Sequence, residues 1–414
     1  MKAIGEIRPP GDKSISHRCV LFSALAEGDT HIQGLLESDD VQSSCAAVQS
    51  MGIEVSRTGE TWVIKGGRPQ EPRQVIDAGN SGTTARLLCG ILASIHGVSI
   101  ITGDSSLIRR PMARVISPLE RMGASCLARS GSYLPVAIKG GSLRGISYEM
   151  DVASAQVKSA LIIAGLNAEG TTRVHEPVLS RDHTELMLQY LGVSLKKDGN
   201  TIEIRGPQKI HARDFVVPGD PSSAAFPAVW AAATPGSQVL IKDVCLNPTR
   251  IAFLSVLQRM GAQIHTENTR QSCGEYVGDI VVTGGDLTGT TIEGHEIPAL
   301  IDEIPVLAVA ASCAHGTTVI QGASELRVKE TDRISALIHG FSALGAHIDE
   351  LQDGMIITGP LQLSPGKVTT FSDHRIAMAF SILSRISDMT IDLDDHRCVG
   401  ISYPGFFEAM ESIA

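Results

Sequence analysis

Aromatic residues are scarce in this chain: 2 Trp, 5 Tyr and 9 Phe among 414 residues. So few rings argue against a surface that binds nucleic acid by stacking bases. Positive charge is also in deficit, with 35 Lys and Arg against 45 Asp and Glu and a formal net charge of -10. That balance disfavours tracking of a phosphate backbone or an anionic membrane, so any anion site has to be local. No apolar run reaches the ~20 residues of a membrane span. The opening "MKAIGEIRPPGD" lacks the apolar core of a signal peptide, and a soluble cytoplasmic protein is expected. The eight cysteines, Cys19, Cys45, Cys89, Cys126, Cys245, Cys273, Cys313 and Cys398, contain no C-x-x-C pair. Scattered thiols in a reducing compartment are the expectation, with no metal site.

Nucleotide loops are missing too. "GDKSISHR" at 11–18 has a lysine–serine pair, yet "AIGEIRPPGD" before it lacks the G-x-x-x-x-G-K-[ST] spacing that wraps a polyphosphate, and no G-x-G-x-x-G follows elsewhere.

What the chain does have is self-similarity. The polar-then-apolar pattern of 11–28 recurs as "AGNSGTTARLLCGILASIHG", "VASAQVKSALIIAGLNAEG", "PGDPSSAAFPAVWAAATPG", "IDEIPVLAVAASCAHG" and "FSDHRIAMAFSILSRIS". Taking Gly28, Gly97, Gly170, Gly236, Gly316 and Ser387 as the ends of these copies, the spacing is 69, 73, 66, 80 and 71 residues, close to one sixth of the chain. A β-branched strand follows each copy, then a polar loop. A second helix closes at Gly52, Gly123, Gly192, Gly261 or Gly345, followed by a strand such as "TWVIKGG", "VAIKGG" or "DIVVTGG". The pattern predicts six mixed α/β modules. The first helix of each module is apolar nearly all round, so it has to be enclosed by protein. Six such helices exceed one small core; three per domain is the expected division.

The polar groups of these helices are confined to their first turns. A helix N-terminus offers free N–H groups and partial positive charge, so Ser, Thr, Asn or Asp there can cap the helix or help hold an anion. Nearby loops add Lys13, Arg18, Arg109, Arg110, Arg181, Lys329, Arg333 and Arg375, with Asp302 and Glu330 as candidate proton carriers. Gathered on one face, such groups suit a small ligand carrying phosphate and carboxylate.

At these residues the sequence resembles the 5-enolpyruvylshikimate-3-phosphate synthase family, over essentially its full length. The resemblance rests on "GDKSISHR", "GNSGTTARL", "RRPM", "SAQVKSALIIAGL", "SRDHTE", "DEIPVLAVAA", "LRVKETDR" and "SDHRIAMAF" in that order, and looks most like the bacterial class II branch. It implies an α/β fold of two similar domains, an inside-out α/β barrel with three βαβαββ units and three buried helices each. The expected boundaries are 10–217 for the N-terminal domain, and 1–9 with 218–414 for the C-terminal domain. The implied reaction moves the enolpyruvyl group of phosphoenolpyruvate to the 5-hydroxyl of shikimate 3-phosphate and releases phosphate, with no metal or organic cofactor. The implied partners are these two small molecules, with no nucleic acid or membrane, and the protein is expected to be a monomer.

Carried over residue by residue, the resemblance places Lys13, Ser14, Arg18, Ser154, Ala155, Gln156, Arg181, Asp302 and Lys329 around shikimate 3-phosphate. It places Lys13, Gly82, Arg110, Gln156, Arg333 and Arg375 around phosphoenolpyruvate. Asp302, Glu330 and Lys13 are the expected catalytic residues, and the domains are expected to close over the first substrate as an anion bridges their cations. The same family site accepts glyphosate, for which Gly82 leaves room. Two departures stand out: Ala155 replaces a serine common in the family, leaving only a backbone contact, and Ile401 stands where some members carry a lysine. The competing readings are the sister enzyme that uses UDP-N-acetylglucosamine, which opens on lysine–asparagine rather than Lys13–Ser14, and a noncatalytic repeat protein with a concave binding face.

Overall fold

The same local grammar is written out six times along the chain, and a computed structural model describes all 414 residues of it. The six apolar helices are Lys13–Leu25, Gly82–Leu92, Ala155–Asn167, Pro221–Ala232, Ile304–Cys313 and His374–Ser387. Their start signals are side-chain caps on the first free N–H groups. Asp12 accepts from Ile15, Ser81 from Thr84, Ser154 from Val157, Asp220 from Ser222, and Asp373 from both Arg375 and Ile376. The fifth helix differs, since Glu303 makes no such cap and turns its carboxylate to the Ser222 hydroxyl. Every residue of Pro221–Ala232 is buried, as is the run Ile15–Ala24, which accounts for the absence of a polar face.

In the second, third and fifth repeats the apolar helix joins two parallel strands, and an antiparallel hairpin widens the sheet. Ile76–Asp77 pairs in parallel with Gly97–Thr102, which pairs antiparallel with Tyr133–Gly140; Thr291–Ile292, Gly316–Ile320 and Gly354–Gly359 repeat the arrangement. The second helix of the first five repeats ends on the predicted glycine. Gly52, Gly123, Gly192, Gly261 and Gly345 have φ of +85, +115, +88, +106 and +84. In all five the next residue donates its N–H to a carbonyl five positions back, as Ile53 does to Val48 at 3.1 Å and Ala346 to Phe341 at 3.0 Å. That is the Schellman closure, which needs a left-handed residue at the glycine.

Gly28, Gly97, Gly170 and Gly316 do not end helices, as the repeat alignment has it, but lie in strands. Each sits directly across from a strand-end glycine: Gly66, Gly140, Gly206 and Gly359. Those partners press against the last carbonyls of the buried helix. A Cβ on Gly140 would lie inside contact distance of the Leu92 carbonyl oxygen, one on Gly206 inside that of Gly165, and one on Gly66 inside that of Ser23. The recurring "KGG" and "RGP" endings thus mark where the sheet closes over the helix C-terminus.

The sixth repeat departs from the expected βαβαββ pattern. Gly366–Val368 and Ile391–Leu393 form a sheet of only two strands, and no hairpin follows the Phe406–Glu411 helix.

The chain divides into two units, one of residues 11–217 with 272–275, the other of 1–10, 218–271 and 276–414. Strands at the two crossings are exchanged. Ile4–Ile7, just before the first helix, pairs in parallel with Gln238–Cys245 of the second unit. Ile210–His211 and Phe215–Val216 pair with Ala26–Gln33 of the first. No helix is long and apolar enough to cross a membrane.

Candidate active site

In the 11–217 unit, three candidate residues open buried helices: Lys13, Gly82 and Ala155 are each the first residue after the cap. Their own N–H groups have no intrahelical partner, so backbone donors and side chains point out together. Lys13 Nζ lies 2.5 Å from the buried Asp40 carboxylate. Arg18 is 2% exposed. It donates Nε–H to Thr184 Oγ1 at 2.7 Å, and its two Nη groups to the Ser14 carbonyl at 2.9 Å and Ser159 Oγ at 2.8 Å. Arg18 therefore braces the turn carrying Lys13 and Ser14 from beneath.

His17, between them, is fully buried, with Nδ1 2.8 Å from Ser44 Oγ. Burial first, and then the Lys13 and Arg18 charges, hold its imidazole well below the usual histidine range, so it is neutral. Ser44 Oγ meets Thr84 Oγ1 at 2.7 Å, and Thr84 donates to Ser81 Oγ at 2.8 Å. This buried chain of hydroxyls ties the first helix start to the second.

Arg110 donates to Asn80 Oδ1 at 3.1 Å and Ser106 Oγ at 3.3 Å. A Cβ on Gly82 would meet Arg86 Nη1 at 2.7 Å and Arg110 Nη1 at 3.4 Å, so two guanidinium groups converge on this glycine. Arg86 also donates to Gln156 Oε1 at 2.8 Å, and Gln156 donates to Thr83 Oγ1 at 2.9 Å. Gly82, Arg110 and Gln156 are thereby brought together through Arg86, which lies within "GNSGTTARL" but is not among the expected site residues. Its signal was the helical spacing of "GTTAR", four residues on from Gly82. Ser154 and Ala155 are half-buried at the start of their helix, and Arg181 is half-buried just before the helix His183–Tyr190.

In the 218–414 unit, one guanidinium gathers three carboxylates. Arg333, 1% exposed, donates Nε–H to Asp373 Oδ2 at 2.8 Å, Nη2 to Glu330 Oε2 at 2.7 Å and Nη1 to Asp302 Oδ1 at 3.3 Å. The acids Asp373, Glu330 and Asp302 hold its charge more firmly than burial weakens it, raising its pKa further. Arg375 reaches the Asp302 carbonyl at 3.2 Å and carboxylate at 3.5 Å. The Asp302 and Glu330 side chains keep 18% and 19% of their surface, whereas Asp373 has none. The first two can meet a ligand; the third is structural. Lys329, half-buried, directly precedes Glu330. Ahead of Asp373, Phe371 and Ser372 take φ of +55 and +54, left-handed conformations that cost non-glycine residues energy and cluster at functional sites. Ile401 packs on the apolar core and supplies no charge.

The repeated helix, parallel crossover and hairpin define a fold class before any particular activity. NikO from Streptomyces tendae, titled an enolpyruvyl transferase, superposes with a TM-score of 0.80 at 17% identity, over 100% of this chain and 95% of its own. The chain has the two-domain α/β fold of the enolpyruvyl transferases. EPSP synthase from Acinetobacter baumannii superposes with a TM-score of 0.88 at 39% identity, covering 100% of this chain and 96% of the other. Residues 2–410 match the family model of EPSP synthase (3-phosphoshikimate 1-carboxyvinyltransferase). The 3-phosphoshikimate 1-carboxyvinyltransferase of Desulfitobacterium hafniense (strain DSM 10664 / DCB-2) is 48% identical over 99% of this chain and 95% of its own length. That of Shouchella clausii (strain KSM-K16) is 47% identical over 99% and 96%. The chain belongs to the EPSP synthase family.

Proposed function

We propose that this chain transfers the enolpyruvyl group of phosphoenolpyruvate to the 5-hydroxyl of shikimate 3-phosphate, by addition and then elimination of phosphate. The observation that carries the reading is the Arg333 cluster: cations for an anionic ligand beside two partly exposed carboxylates able to move protons.

The chemistry needs an acid to protonate the methylene carbon of phosphoenolpyruvate, a base for the attacking hydroxyl, and charge neutralisation throughout. Asp302 is assigned as the base on the 5-hydroxyl, and Glu330 and Lys13 as the proton-transfer groups. The hydroxyl oxygen bonds to C2, giving a tetrahedral adduct. Loss of a proton from the new methyl group and departure of phosphate then restore the enol ether. Arg110, Arg333 and Arg375, with Gly82, Gln156 and Lys13, are assigned to phosphoenolpyruvate. Ser14, Arg18, Ser154, Ala155, Gln156, Arg181 and Lys329, with Lys13 and Asp302, are assigned to shikimate 3-phosphate. We read the protein as a cytoplasmic monomer with domains at 10–217 and at 1–9 with 218–414, every assigned group coming from one chain.

A phosphate-release assay with phosphoenolpyruvate tests the proposal. Turnover is expected with shikimate 3-phosphate; turnover only with UDP-N-acetylglucosamine would overturn it. Asp302→Asn and Lys13→Met are each expected to lower kcat by about 100-fold or more while circular dichroism is unchanged. Full activity in both would remove them from the mechanism.

A further inference from the structure

A deeply buried ionic cluster beyond the assigned residues lies in the 11–217 unit. Lys158 is 1% exposed, with Nζ 2.8 Å from Glu176 Oε1, 2.7 Å from Glu185 Oε1 and 3.5 Å from the Ser180 carbonyl. Lys158 Nζ donates to Glu176 Oε1 and to the Ser180 carbonyl, and Glu185 lies against it as an ion pair. Glu176, fully buried, turns its other oxygen to Ser180, accepting the N–H at 3.2 Å and the hydroxyl as well. Burial pushes the Glu185 carboxyl up, the Lys158 charge opposing it.

Such a cluster is a poor device for stability, because desolvating its charges offsets most of their attraction. Its arrangement suggests another use. Three of its members stand next in sequence to a residue assigned to the shikimate 3-phosphate subsite or to one that braces it. Lys158 precedes Ser159, which accepts from Arg18 at 2.8 Å. Ser180 precedes Arg181. Glu185 follows Thr184, which accepts from Arg18 at 2.7 Å and shares a 2.6 Å bond with Ser159. Three separate segments, the Ala155–Asn167 helix, the loop at 176–182 and the His183–Tyr190 helix, are thus locked to one ammonium group.

We propose that Lys158 is a positioning residue for shikimate 3-phosphate, acting through Ser180 on Arg181 and through the Ser159–Thr184 pair on Arg18. The inference rests on the proposed function. Lys158 touches no substrate; it fixes the spacing of groups that do, and shifts of a fraction of an ångström between them weaken a multidentate anion site.

The test compares the wild-type protein with Ser180→Ala, which removes the hydroxyl bond to Glu176, and the double variant Lys158→Met with Glu176→Gln, which deletes both charges together. The KM for shikimate 3-phosphate is expected to rise about threefold or more in Ser180→Ala and about tenfold or more in the double variant. The KM for phosphoenolpyruvate and kcat should move less than about threefold. Should the double variant fail to fold, Ser180→Ala decides alone. Folded variants with the wild-type KM for shikimate 3-phosphate, or with kcat and both KM values changed alike, overturn the positioning role and leave the function standing. Wild-type protein that neither binds shikimate 3-phosphate in calorimetry nor releases phosphate overturns the proposed function, and this inference with it.

Discussion

Asp373 and Arg333, forty residues apart, meet in a buried salt bridge of 2.8 Å, while the same carboxylate caps the His374–Ser387 helix through the Arg375 N–H at 2.9 Å. One side chain therefore both starts a helix and orients the guanidinium that holds Asp302 and Glu330.

Asp373→Asn removes the one fully buried counter-charge of Arg333 and leaves it Glu330 and Asp302, so it should cost about 2 kcal/mol of stability. Asp332 likewise caps a helix, Arg333–Ala343, accepting from the Ser335 N–H at 3.1 Å, and pairs with Arg327 at 2.8 Å, but near the surface. Asp332→Asn should cost less than about 1 kcal/mol. Urea unfolding of the two variants measures the contrast, and equal losses would refute it.

The strand-end glycines give a second contrast. Gly140→Ala forces a methyl group into the Leu92 carbonyl and is expected to lose about 1–3 kcal/mol. A Cβ on Gly67 meets nothing within 4 Å, so Gly67→Ala should stay within about 0.5 kcal/mol of the wild type. Thermal unfolding read by circular dichroism separates them.

At Gly82 the obstacle is the movable end of a side chain rather than backbone. Gly82→Ala should leave stability nearly unchanged while displacing Arg86 and crowding Arg110. The expected result is a KM for phosphoenolpyruvate raised about fivefold or more, with the KM for shikimate 3-phosphate little altered. Steady-state kinetics with each substrate varied in turn would detect it.

His17 predicts a pH dependence. Its folded pKa lies well below the ordinary 6.5, so below that pH the unfolded chain binds a proton that the folded chain refuses. Stability should fall by about 1.4 kcal/mol per pH unit on this account. The loss begins as pH drops through the unfolded value and continues until the folded imidazole is protonated. His17→Asn should flatten the slope between pH 6.5 and 5; an unchanged slope would show that other groups carry it.

The repeat, its six apolar helices and the five closing glycines were legible in the sequence, because each follows from a local rule. A helix without a polar face has to be enclosed, and a left-handed helix stop selects glycine. The strand-end glycines were visible as "KGG" and "RGP", but their cause was not, since it lies in a helix terminus some 40 residues away. The truncated sheet at Gly366–Val368 and Ile391–Leu393 was hidden behind a repeat that continues in the helices. Most of the candidate residues lay in motifs; Arg86, Asp40 and Lys158 acquire their roles only from neighbours distant in the chain.

The sequence by itself determined the repeating unit, the location of polar chemistry at helix starts and, through its motifs, the family. The tertiary structure decided which charges share a partner: Arg333 with Asp373, Lys158 with two glutamates, and Arg86 with Gln156. It also decided that Ile4–Ile7 pairs with Gln238–Cys245 rather than with the strand following its own helix. Local rules act over a turn or a strand, whereas a buried charge or an open strand edge has to find its complement wherever packing places one.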